Sequence, residues 1–206
     1  MSMKSRFPLL ALFAVVALAA GILIGNRWLA PRALVIQSGT LLPQPRPITD
    51  FTLTGSDGKP FSRADLLGHW TIVFAGYTSC PDVCPTTLMD LKGLETRLGP
   101  LADRLEVLFI SVDPERDTPD KLDGYVHYFD PRFRAATGSI AALEQLGRNL
   151  GFVFDKAPGS TPGSYTIDHS AALMLIDPKG ALRGYLVPPF KPEVLSADIK
   201  NVMENK

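Results

Sequence analysis

From position 47 onward the chain alternates two kinds of hydrophobic pattern. "WTIVFAGYT" (70–78) and "RLEVLFISVD" (104–113) are apolar runs rich in β-branched and aromatic residues, the pattern of strands buried on both faces. Between them, "PTTLMDLKGLETRLG" sets Leu88, Leu91, Leu94 and Leu98 on one side of a predicted helix that stops at Gly99. "TPDKLDGYVHYF" predicts a second helix, capped by Thr118, opened by Pro119 and striped by Leu122, Tyr125, Val126 and Phe129. A third helix runs from its cap at Ser139 to a stop at Gly151. "HSAALMLIDPKGALRGYLV" reads as two strands joined by a turn over Asp177, Pro178, Lys179 and Gly180, and "KPEVLSADIKNVMEN" as a closing helix with Pro192 near its start. Helices alternating with buried strands give an α/β sandwich with a central mixed sheet. No glycine-rich turn follows either buried strand, which argues against a dinucleotide-binding fold.

The first 46 residues follow a different rule. "FPLLALFAVVALAAGILIG" (7–25) is an uncharged apolar run of 19 residues, close to the roughly 20 that span a bilayer. Lys4 and Arg6 ahead of it favour a cytoplasmic N-terminus (1–6) and export of everything that follows. A cleaved signal peptide competes with this reading, since "ALA" at 17–19 resembles a cleavage site. The run continues to Gly25, beyond the roughly 7–15 residues of a signal core, so the expectation is an N-terminal transmembrane helix left in place. The protein is then a single-pass protein of the cytoplasmic (inner) membrane with its soluble domain on the outer, periplasmic side. Residues 26–46, with three prolines and no acidic residue, read as a linker, and 47–206 as the domain.

Formal net charge is zero, but five of the 21 basic residues and none of the 21 acidic ones precede position 47. The domain therefore carries 16 basic against 21 acidic residues, a balance that argues against nucleic acid as a partner.

The only two cysteines lie in "TSCPDVCP" (78–85), at the carboxyl end of the first buried strand, where α/β proteins commonly place sites. A proline ring clashes with the carbonyl four residues back inside a helix, so the expected first helical residue is Pro85, with Cys84 at the cap and Cys80 in the turn before it. Both sulfurs would then face the positive end of a helix dipole, which lowers thiol pKa. Three readings follow. A disulfide staple would close a loop too short to stabilise much. A redox couple suits the position, although the spacing is three residues rather than two. A metal clasp needs a third ligand.

Of the three histidines, His69 in "LLGHW" reads as a loop residue and His127 in "YVHYF" as a packed or surface helix residue. His169 stands where the Gly/Pro/Ser-rich loop "DKAPGSTPGSYTID" meets a core strand, anchored yet able to reach a site. "YTSCPDVCPTTL", "FISVDPERDTPD" and "YTIDHSAALMLIDPKG" together resemble the Sco/SenC family of membrane-anchored copper proteins that assist cytochrome c oxidase assembly, from about position 47 to the C-terminus. The resemblance implies a thioredoxin-like fold and one copper ion, Cu(I) or Cu(II), held by Cys80, Cys84 and His169. Ser79 stands where many relatives carry a histidine.

The chemistry agrees, since two thiolates suit Cu(I) and imidazole is also accepted by Cu(II). Structural zinc normally takes four protein ligands, and no fourth soft ligand is evident. Asp168 is placed either to orient the imidazole or to satisfy loop amides, and Asp82 to stabilise the turn or helix start. "DPERDTPD" (113–120) is a strand-exit turn with no ligand role assigned. The expected function is a copper metallochaperone, not an enzyme in the turnover sense, delivering copper to the dicopper centre of the oxidase. Its expected partners are the copper-binding subunit of the oxidase, a copper donor and a thiol reductant. The alternative is a thiol–disulfide reductase acting on that subunit's cysteines; a peroxide-reducing enzyme ranks below both.

Overall fold

The structure, a computed structural model, describes residues 12–21, 25 and 34–205. Two compact units divide the chain, Met1–Ala33 and Leu34–Lys206. In the first, residues 12–21 are helical with exposed side chains. The rest of the expected 7–25 span, apart from Gly25, lies outside the described residues. Among the described residues no helix is long and apolar enough to cross a membrane.

The second unit is built on an eight-stranded sheet. Its strands are β1 (Gly39–Pro47), β2 (Thr52–Gly55), β3 (Pro60–Ser62), β4 (Trp70–Gly76), β5 (Leu105–Ser111), β6 (Arg134–Thr137), β9 (Leu173–Ile176) and β10 (Ala181–Leu186), in the order β1-β10-β9-β4-β5-β6-β2-β3. β4, β5 and β6 run parallel and every other pairing is antiparallel, the mixed sheet that the pattern predicts. A separate hairpin, β7 (Phe154–Pro158) with β8 (Tyr165–His169), forms its own two-stranded sheet.

Strand alternation sends side chains from β4 and β5 into two cores. Ile72, Phe74, Val107 and Phe109 meet the leucine face of α1 (Val83–Leu98), α2 (Pro119–Phe129) and α4 (Pro192–Glu204) on one side. Val73, Ala75, Leu108 and Ile110 meet α3 (Ile140–Leu150) and Ile167 of the hairpin on the other. Leu88, Leu91 and Leu94 are completely buried, each contributing roughly 2 kcal/mol of transfer free energy. The predicted caps are in place, since Thr118 Oγ accepts from the Lys121 amide and Ser139 Oγ from the Ala142 amide, and Gly151 closes α3 at φ 82°.

Two expectations change. Of the segment read as a linker, residues 34–46 belong to the folded unit: Ile36 is buried and β1 pairs with β10. Asp198 of α4 clasps this entry, accepting from the Gln37 amide (2.9 Å), the Ser38 amide (2.7 Å) and the Ser38 hydroxyl (2.6 Å). Pro43 and Pro45, two of the prolines that suggested a linker, are tolerated because β1 is an edge strand. Second, α1 begins at Val83 rather than Pro85, with the Thr86 amide making the first bond, to the Asp82 carbonyl. Pro85 then occupies the third helical position, where its missing N–H is one of the donors a helix leaves unpaired anyway. The carbonyl its ring would strike belongs to Pro81, ahead of the helix.

Candidate metal centre

The first buried strand delivers the cysteines. β4 ends at Gly76, Tyr77 is buried beneath the turn, and the Cys80 amide donates to the Tyr77 carbonyl at 3.2 Å. Cys80 is half-buried at this turn, while Cys84 on the first turn of α1 is completely buried. Gly76 makes that depth possible. A Cβ at position 76 would come within 2.7 Å of Cys84 Sγ and 2.8 Å of Phe109 Cε2, so only glycine lets the sulfur lie against the strand.

His169, the last residue of β8, pairs across the hairpin with Phe154. Its ring packs edge-on against Phe74 and Tyr77, at centroid distances of 6.0 and 5.9 Å. Nδ1 lies 3.2 Å from the Ser170 carbonyl, which can only accept, so Nδ1 carries the proton and Nε2 the free lone pair. Nε2 lies 3.5 Å from Cys84 Sγ. The Cys80 sulfur, the Cys84 sulfur and the imidazole all lie within 4.8 Å of one another. Folding thus brings together the three residues singled out in the sequence, although 85 positions separate Cys84 from His169.

The electrostatics differ from the helix-dipole expectation. Burial pushes the Cys84 thiol well above its ordinary value, against the opposing effect of a backbone hydrogen bond at Tyr77, and the neighbouring Cys80 pushes the same way. Desolvation outweighs a helix N-terminus when the sulfur is wholly enclosed. Burial likewise lowers the His169 pKa, which keeps its lone pair available. Both thiols are free. His69 pairs instead with Glu106 and His127 with Asp123. Asp168 is exposed, so the Ser170 carbonyl, not that carboxylate, orients the imidazole. Asp82 takes the position before the helix without a side-chain cap bond.

"DPERDTPD" is the part that sequence reasoning missed. Asp117, 1% exposed, accepts from the Thr78 amide (2.9 Å), the Thr78 hydroxyl, the Ser111 hydroxyl (2.7 Å) and Lys121 Nζ (3.1 Å). It thereby pins the turn that carries Cys80. Asp113, 2% exposed, is bonded by Arg116 and by the Tyr165 hydroxyl at 2.8 Å, which ties the same loop to the hairpin that carries His169. The available signal was two acidic residues four apart, directly after a buried strand, at the sheet end where the cysteines lie.

A family model described as SCO1/SenC matches residues 41–204. The chain belongs to the SCO1/SenC family. The matched stretch begins inside β1 and contains Cys80, Cys84 and His169. Among SCO1/SenC relatives, a protein from Stutzerimonas stutzeri, described as copper-binding, is 37% identical over 176 residues, covering 84% of this chain and 86% of its own length. The mitochondrial SCO2 homologue of Danio rerio is 34% identical over 157 residues, covering 75% of this chain. The chain spans only 56% of the length of that homologue. The structure of Bradyrhizobium japonicum ScoI with copper bound superposes with a TM-score of 0.68 at 36% identity, covering 75% of this chain and 98% of that one. The mixed α/β sandwich described above is therefore the thioredoxin-like fold of SCO1/SenC proteins.

Proposed function

We propose that this SCO1/SenC chain is a copper metallochaperone, with copper as its cargo. One ion is held by Cys80, Cys84 and His169 and passed to the dicopper centre of cytochrome c oxidase during assembly. The observation that carries the reading is the convergence of two sulfurs and an unprotonated imidazole nitrogen within 4.8 Å. That donor set is soft enough for Cu(I) and accepts Cu(II), and it leaves a coordination position for an incoming ligand. Relatives solved with copper or described as copper-binding support the choice of metal. Transfer proceeds by ligand exchange, so the chain is not an enzyme in the turnover sense. A donor protein loads it, a thiol reductant keeps its cysteines reduced, and the copper-binding subunit of the oxidase receives the ion. The apolar run at 7–25 anchors it in the cytoplasmic membrane, with the folded unit on the outer side.

Anaerobic copper titration of the reduced full chain, its His169→Ala and its Cys84→Ser variants tests the site. Each substitution should weaken binding by at least tenfold, and His169→Ala should alter the Cu(II) spectrum. An unchanged affinity and spectrum for His169→Ala ends the three-ligand reading. A thiol–disulfide reductase remains the second reading, supported by two free thiols at close range. The test is reduction of an oxidised oxidase-subunit fragment by the chain, measured beside copper transfer.

A further inference from the structure

The hairpin that presents His169 is not hydrogen-bonded into the eight-stranded sheet, so side-chain contacts must fix where the strand carrying the imidazole lies. Ile167 sinks into the core and Phe154 and Tyr165 pack against it, but apolar contacts are not directional. Arg116 supplies a directional one. It leaves the loop after β5, bonds Asp113 through Nε and donates Nη1 to the Tyr165 carbonyl at 3.1 Å. Its guanidinium lies 3.7 Å from the centroid of the Tyr165 ring and 5.5 Å from that of Tyr77. Tyr165 precedes His169 on the same strand, and the Tyr77 ring packs edge-on against the imidazole. The Tyr77 carbonyl also accepts from the Cys80 amide. One planar cation therefore touches the histidine's strand on one side and the cysteines' turn on the other.

We propose that Arg116 is a positioning residue for the metal centre, setting the imidazole of His169 against the two sulfurs. The proposal rests on the three-ligand reading above. A lysine keeps the attraction to Asp113 but has neither the flat face that stacks on tyrosine nor the fork that reaches Asp113 and the Tyr165 carbonyl together. Residues that orient metal ligands without touching the ion typically change affinity by about 10- to 100-fold when replaced.

The test is a double-mutant cycle on the full chain, using Cu(I) affinity by chelator competition and the electron paramagnetic resonance of the Cu(II) form. Arg116→Met should weaken Cu(I) binding about tenfold and shift the Cu(II) spectrum towards that of His169→Ala. Arg116→Lys should recover only part of the loss. In the His169→Ala background, Arg116→Met should cause no further loss beyond about twofold. An equal loss in both backgrounds, or none in either, overturns the proposal. Should Arg116→Met fail to fold, Arg116→Lys, which keeps the charge beside Asp113 while losing the stack and the fork, is read in the same cycle. A loss confined to the His169 background supports the proposal, and no loss overturns it. If His169→Ala loses affinity while Arg116→Met does not, Arg116 alone is ruled out. If His169→Ala binds as the parent does, the three-ligand reading falls and takes this proposal with it.

Discussion

Replacing Asp117 by asparagine changes one buried carboxylate into an amide of the same shape. Oδ2 accepts from the Thr78 amide and the Ser111 hydroxyl, and Oδ1 from the Thr78 hydroxyl and Lys121. An amide oxygen can keep one of these pairs, but its NH₂ group then faces donors. The loss is therefore about two hydrogen bonds to a charged acceptor, at roughly 1.5–3 kcal/mol each. The ammonium of Lys121, whose side chain is 44% exposed, is one of these partners where Oδ1 gives way to the NH₂ group, and it then counts for about 1 kcal/mol at most. Local rotation of the two hydroxyls recovers part, which leaves a destabilisation of about 3 kcal/mol. For a domain of this size that corresponds to a Tm lower by roughly 6–12 °C. The consequence at the site is distinct from the consequence for stability. Thr78 begins the turn that carries Cys80, so copper affinity should drop about tenfold even at temperatures where the variant is fully folded. Thermal denaturation of the copper-free chain followed by circular dichroism, with chelator competition at 15 °C, measures both. A Tm within about 2 °C of the parent refutes the stability argument. A lowered Tm with unchanged affinity refutes the link between Asp117 and the cysteine turn.

Gly76→Ala should cost about 1–3 kcal/mol through overpacking against Cys84 Sγ and Phe109, and should weaken copper binding because the sulfur must move; a melting curve superposing on the parent's would show the strand end to be looser than described. Copper affinity should rise with pH from 6.5 to 8, about tenfold per unit for each thiol proton displaced. The raised Cys84 pKa keeps that proton on the free protein across this range, while the lowered pKa of His169 removes imidazole protonation as a competitor. Affinity independent of pH over this interval, in competition titrations at constant ionic strength, rules the argument out.

Most of the scaffold was legible because its signals are local. The buried strands at 70–78 and 104–113 and the helix caps at Thr118 and Ser139 need only neighbouring residues to be read, and the structure places them within a residue or two. The meeting of Cys80, Cys84 and His169 was legible only through resemblance, since nothing in their spacing carries the imidazole across the fold. What escaped was decided at long range. β1 is a strand only because β10 and Asp198 receive it, and its prolines point the other way. The Cys84 thiol moves up because Phe109, Gly76 and the helix close over it, whereas the sequence shows only the helix end. The roles of Asp113, Arg116 and Asp117 depend on which turn lies beside theirs.

The two sulfurs are near neighbours along the polymer, whereas the ring nitrogen joins them only when the chain is folded. A denatured chain therefore keeps a fair grip on a soft ion through the thiol pair alone. Ligand-induced protection against unfolding depends on the difference in affinity between the two ensembles, so it reflects the increment contributed by the imidazole rather than the whole binding energy. A loaded chain that loses its fold would still carry its metal.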